Sequence, residues 1–267
     1  MENTKSFRNP FSKIAKVFKY EMKHSVRILL PVYGAIIIIA FIAGLFLIRS
    51  FNNGNIDLNF TLTINGDEDP IDQVTGFLLL LYFIIVVSSA VVSVLILTKR
   101  FKNGLLGDEA YLNLSLPVTM GEHLCGRVLS IILWAVCYII TMVISLLAIT
   151  ISQWKPLFRE ITPEIISTLL AGVVTVITSA LVLILFIYLI NAIGHLSKKH
   201  RTLVKIAAII LVLSLTSRIF GAENLQYFIE TNNDVKALYF VSLYNCILSV
   251  LYGVATYFIL KLKLNLE

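Results

Sequence analysis

The chain has 267 residues, of which 58% are hydrophobic and only 14% charged, where a soluble domain has about 45–50% and about 25%. Several apolar runs reach the roughly 20 residues that a helix needs to cross a bilayer, which excludes an ordinary soluble domain. The net charge of +6 does not point to nucleic acid, because the bases flank the apolar runs and form no basic-aromatic surface.

Residues 1–27 carry Lys5, Arg8, Lys13, Lys16, Lys19, Lys23 and Arg27 against Glu2 and Glu21. Phe7, Phe11, Ile14, Phe18 and Met22 recur at helical spacing. This predicts an amphipathic helix in the headgroup layer on the cytoplasmic side. It is not read as a cleaved signal peptide, because the apolar run that follows is too long and lacks a small-residue cleavage site.

The first span is predicted over about 28–48, where Ala40 and Gly44 allow close helix approach. Residues 49–75 form an acidic external loop. In it Ile56, Leu58, Phe60, Leu62 and Ile64 alternate with polar residues, the pattern of a strand. A second span over about 76–97 carries the small pair Ser89 and Ser93. A third covers 127–151. A short external link with Trp154 leads to the fourth, 165–190.

On the fourth span Ser167, Ala171, Thr175 and Ser179 form a small polar stripe four residues apart, read as helix packing or as the lining of a substrate path. A basic link with Lys198, Lys199, Arg201 and Lys205 follows. The fifth span, 204–220, is short of charge-free length, since only Ile206 to Ser217 separates Lys205 from Arg218. Those bases must snorkel to opposite surfaces, or the segment is a re-entrant hairpin. The sixth span, 237–260, carries Asn245, Ser249 and Gly253 four apart, and residues 261–267 form a tail. Of the Lys and Arg, 17 fall on one side of this scheme and five on the other. The positive-inside rule then places both termini in the cytoplasm. The expected fold is an all-α membrane protein of six transmembrane helices, with the N-terminal interfacial helix.

The polar stretch from Lys99 to Arg127 is an elbow between spans two and three. Gly104 and Gly107 are expected to break the helix leaving span two. Asp108 and Glu109 suit the first turn of a new short helix, which Pro117 closes. Thr119 and Glu122 have capping-box spacing for the next helix. Tyr111, Leu112, Leu114 and Leu116 give the short helix an apolar face, for lipid or for a groove on a soluble partner.

No Asp, Glu, Lys, Arg or His lies well inside a predicted span. Such charges are costly and usually functional, so a proton-coupled carrier, a voltage sensor and an intramembrane metalloprotease are disfavoured. HExxH and GxSxG are missing. The Gly121–Gly126 spacing imitates a phosphate loop but lacks its Lys and Ser/Thr. No catalytic, cofactor or metal residues are expected. Cys125, Cys137 and Cys246 have no metal-site or disulfide spacing and are read as small apolar fillers.

The run KRFKNGLLGDEAYLNLSLPVT resembles the equivalent stretch of bacterial ABC-2 type transporter permeases. The shared features are the basic-aromatic lead Arg100, Phe101 and Lys102, then Asp108, Glu109, Tyr111 and Leu112, then the Leu116-Pro117-Val118 turn. The topology is similar over nearly the whole chain, apart from the strand-like run in the first external loop. The resemblance implies a transport subunit, not an enzyme, in a bacterial plasma membrane. It implies pairing with a second permease subunit, alike or different, and an ATP-binding subunit that holds ATP and Mg. The short helix would be the coupling helix, touching that subunit through Lys102, Asp108, Glu109, Tyr111, Leu112, Leu114, Leu116 and Pro117. Apolar spans fit amphipathic or antimicrobial peptides or hydrophobic compounds as cargo. The competing reading is a non-transporting scaffold or sensor that docks a cytoplasmic partner. A secondary transporter would need an intramembrane charge or unwound spans.

Overall fold

The structure, a computed structural model, describes residues 10–52, 70–107, 118–150, 162–197, 200–220 and 234–264. Among them are six α-helices and no strand: α1 (Pro10–Asn52), α2 (Pro70–Phe101), α3 (Met120–Ile149), α4 (Pro163–His195), α5 (Arg201–Phe220) and α6 (Asp234–Leu264). A single π turn, Lys102–Leu106, extends α2. The alternating run 56–64, the predicted short helix 109–116 and the Trp154 link lie outside the described residues.

The helix starts follow local chemistry. α1, α2 and α4 begin on proline, whose missing N–H is no loss in the first turn. α3 begins on the predicted capping box. The Thr119 amide donates to Glu122 Oε2 at 2.8 Å and the Glu122 amide to Thr119 Oγ1 at 3.4 Å. α3 therefore starts two turns before residue 127, the expected start of the third span.

Five helices are long and apolar enough to cross a membrane: α1, α2, α3, α4 and α6. α5 is not among them; Arg201, Lys205 and Arg218 stand along its 20 residues. α1 runs through residue 27 without interruption, so the predicted boundary between an interfacial helix and span one is no break in the helix. Its 43 residues make about 65 Å of helix, about twice the hydrocarbon layer. On its first half the buried line is Val17, Glu21 and Ser25, not the aromatic stripe: Phe11 is 83% exposed.

The chain divides into two compact units. One comprises Val26–Ser93 and Cys137–Thr162. Small residues let backbones meet there: Ala40 and Ala43 are fully buried, and a Cβ on Gly44 would collide with the Ala148 carbonyl. Tyrosines add cross-helix hydrogen bonds. Tyr33 Oη and Ser93 Oγ lie 3.2 Å apart, Tyr82 Oη and Ser145 Oγ 2.8 Å, and Tyr138 Oη donates to the Val86 carbonyl at 3.0 Å. The small pairs in spans one and two are thus packing devices.

The other unit comprises Met1–Ser25, Val94–Val136 and Pro163–Glu267. Its centre is the pairing of α4 with α6. Thr175 Oγ1 donates to the Leu238 carbonyl at 3.1 Å, Asn245 Nδ2 donates to Ser179 Oγ at 3.0 Å, and the Phe186 and Tyr252 rings are 5.7 Å apart. Both chains advance together through these contacts, so α4 and α6 are parallel. α5 runs back beside α4. Lys205, near its start, donates from Nζ to Asn191 Oδ1 at 2.7 Å, its stem lying over Gly194. Thr216, near its end, meets the Tyr252 hydroxyl, level with Phe186.

Candidate functional site at the elbow

Two places in the second unit concentrate polar chemistry. The first is the α4–α6 seam. The contacts between the two helices are made by Thr175, Ser179 and Phe186 of α4 and by Leu238, Asn245 and Tyr252 of α6, with Ala171 and Thr178 on α4 and Ser242, Ser249 and Thr256 on α6 buried nearby in sequence. The α6 partners recur every seven residues, the period of a left-handed helix pair. The stripes read from the sequence advance by four each time and so drift about 40° per step around the helix.

That drift explains which residues drop out of the seam. Ala171 is fully buried and Thr175 bonds across the interface, but Ser167 is half-exposed and bonds its own helix at the Glu164 carbonyl. Ser179 sits at the seam's edge, exposed but accepting from Asn245. Asn245 and Ser249 are buried, whereas a Cβ on Gly253 would meet nothing within 4 Å. Thr178 and Thr256, which the four-residue stripes skip, are buried members.

The second place is the root of the elbow. Glu21 of α1 is buried, and each of its carboxylate oxygens meets a different arginine. Arg100 Nε donates to Oε2 at 3.1 Å, and Arg127 Nη2 lies 3.3 Å from Oε1. Arg127 is 4% exposed. Its Nη1 donates to the Phe101 carbonyl at 3.2 Å, and its guanidinium lies 5.6 Å from the centre of the Phe101 ring. The fully buried Phe101 stacks on Tyr188 of α4 with ring centroids 3.9 Å apart, and Tyr188 Oη donates to the Leu97 carbonyl at 3.2 Å. α1, α2, α3 and α4 therefore converge on the last turn of α2.

Two guanidinium groups share the one carboxylate of Glu21. Taking such ions from water costs several kcal/mol each, offset only by close, well-directed partners. Arginine suits the task because its fork serves several acceptors at once. Here Arg127 holds a carboxylate, a backbone carbonyl and a ring face. Three buried polar atoms, Ser25 Oγ, Thr98 Oγ1 and Arg127 Nε, have no hydrogen-bond partner among the described residues.

Immediately beyond Phe101 the helix widens into the π turn. Gly104, expected from the sequence to break the helix, does not: it continues into the π turn and is buried there with Leu105. The break falls at Gly107, where the backbone becomes extended. Lys102 is exposed on the turn. The other coupling-helix residues, Asp108, Glu109, Tyr111, Leu112, Leu114, Leu116 and Pro117, lie outside the described residues. A weaker contact, Lys13 Nζ to Glu122 Oε2 at 3.9 Å, adds to the hold of α1 on α3. So does Gly126, where a Cβ would come within 2.8 Å of Val17.

Along the sequence Glu21 and Arg127 look like flanking charges, and Arg100 like part of the basic-aromatic lead; none of the three declares a buried ion pair. One signal could have flagged Glu21. It is the sole acid of α1, and it stands one turn from Val17 and one turn from Ser25, on a line continued by Leu29. All three of those neighbours are buried. Among the described residues no group of three or more His, Cys, Asp or Glu could hold a metal, and Cys125 and Cys246 are exposed. No family model, curated protein or solved structure matches this chain.

Proposed function

We propose that this chain is the membrane-spanning permease subunit of an ATP-driven exporter of the ABC-2 type, in a bacterial plasma membrane with both termini cytoplasmic. The observation that carries the reading is the elbow sequence, with its basic-aromatic lead, acidic helix start, apolar face and Leu-Pro-Val exit. The architecture supports it. Five helices meet the membrane criteria, and the parallel course of α4 and α6 favours counting α5 as a sixth crossing. Asp234 stands one turn before Leu238, level with about Ala171, so the chain must climb back roughly 36 Å from His195. α5 covers part of that return, from beside Asn191 near its start to the level of Phe186 at Thr216.

In this reading ATP and Mg belong to a partner subunit, and a second permease copy or homologue completes the path. Closure of the ATP-binding subunits pushes on the short helix, through Asp108, Glu109, Tyr111, Leu112, Leu114, Leu116 and Pro117, with Lys102 at its lead-in. The push passes to α1, α2, α3 and α4 at the cluster under the elbow. The cargo class that fits is an amphipathic peptide or a hydrophobic compound.

The test is purification of the tagged chain from its native membrane. An accompanying ATP-binding subunit and cargo-stimulated ATP hydrolysis are expected. Replacing Asp108, Glu109 and Tyr111 together by alanine should leave insertion intact and uncouple hydrolysis from transport. A particle without an ATP-binding subunit, or full coupling in the triple variant, would sink the proposal in favour of a docking scaffold.

A further inference from the structure

The last turn of α2 is an odd place for two side-chain donors from other helices to converge. An α-helix bonds its own carbonyls, so a buried carbonyl in mid-helix rarely needs help. The π turn changes that. Its rings close from i to i+5, so entering it shifts the ladder by one residue. The outside donors arrive beside this junction. Tyr188 Oη of α4 reaches the Leu97 carbonyl, and Arg127 Nη1 of α3 reaches the Phe101 carbonyl. The Phe101 ring is clasped between the Tyr188 ring and the Arg127 guanidinium. Glu21 of α1 holds the same guanidinium through its other terminal nitrogen.

We propose that Arg127 and Tyr188 are positioning residues that hold the end of α2 in its widened form and so set the direction of the backbone where the helix ends at Gly107. Glu21 is the counter-ion that keeps Arg127 aimed. Without these donors the segment 102–106 regains the choice between α and π register. A change from one to the other turns everything beyond it by about one residue, or 100°. The inference deepens the permease reading, since it makes this turn the joint through which a push on the elbow reaches four helices. The turn itself can be tested without that reading.

Two conservative variants separate the donors from the packing. Tyr188→Phe keeps the ring on Phe101 and removes only the hydroxyl. Arg127→Lys keeps a cation beside Glu21 but cannot serve the carboxylate and the Phe101 carbonyl through two nitrogens. With the full chain in lipid nanodiscs, amide hydrogen exchange at 102–106 should quicken about three- to tenfold in each and further in the double variant. Residues 80–95 of α2 should stay unchanged. Unaltered exchange at 102–106 in Tyr188→Phe overturns the inference, as does a rise spread evenly along α2, the mark of a general structural role. In the assembled particle the same variants should lower transport per ATP while the ATP-binding subunit still binds. Faster exchange at 102–106 in a chain that binds no such subunit would uphold the joint and defeat the permease reading.

Discussion

The α4–α6 seam and the root of the elbow are both polar, both buried and built on opposite principles. The seam repeats. Hydroxyls and one amide recur at alternating three- and four-residue steps, most bonding backbone within their own helix and a few reaching across. Each contributes little, and each can be lost without stranding a charge. The elbow root is singular. One carboxylate, two guanidiniums and two stacked rings come from four helices, and every group depends on another. Distributed weak polar contacts suit a fixed interface between apolar helices. A concentrated, mutually dependent cluster suits a joint, where one displacement is felt by all partners.

The contrast is sharpest if the two places fail differently. The largest effect is expected at Glu21. Glu21→Leu leaves Arg127 buried without its counter-ion and should destabilise the protein by about 3–5 kcal/mol, measured by denaturant unfolding in detergent. Adding Arg127→Met should restore much of that loss, because replacing a whole buried ion pair is far cheaper than halving it. A double variant no better than the single would show that the two groups do not act as a pair.

At the seam, Asn245→Ala should cost about 0.6–1.7 kcal/mol, the range for hydrogen bonds between membrane helices. Ser179→Ala added to it should cost almost nothing more, since the bond is already gone. A cost above that range would make the seam resemble the elbow root and remove the distinction. The smallest effect is expected at the Lys13–Glu122 contact. At 3.9 Å and partly exposed, it should contribute no more than about 0.5–1 kcal/mol, and Lys13→Ala should lose its effect in high salt. The Glu21–Arg127 pair, shielded from solvent, should keep most of its effect there.

Much of the architecture was legible along the chain because it rests on local or periodic terms. Apolar length marks five of the helices. The small pairs Ala40/Gly44 and Ser89/Ser93 mark close packing. Thr119 and Glu122 mark a helix start by bonding each other three residues apart. The seam was half legible. Reading it in steps of four caught Ala171, Thr175 and Asn245 and carried Ser167 and Gly253 along, because a single helix does not reveal how it will wind about its neighbour.

What only the tertiary structure decided is which charges are paired and which way the chain returns. Glu21, Arg100 and Arg127 lie 27 to 106 positions apart, and at that separation no spacing rule distinguishes a flanking charge from a buried ion pair. The course of α5 is settled the same way. Its own composition falls short of a membrane span, and its direction along α4 shows only in Lys205 meeting Asn191 and Thr216 meeting Tyr252, level with Phe186. Apolar length and capping act within a few turns of one helix and so are written in the order of residues. Ion pairing and helix direction depend on neighbours brought together by folding, and exist only once the helices have packed.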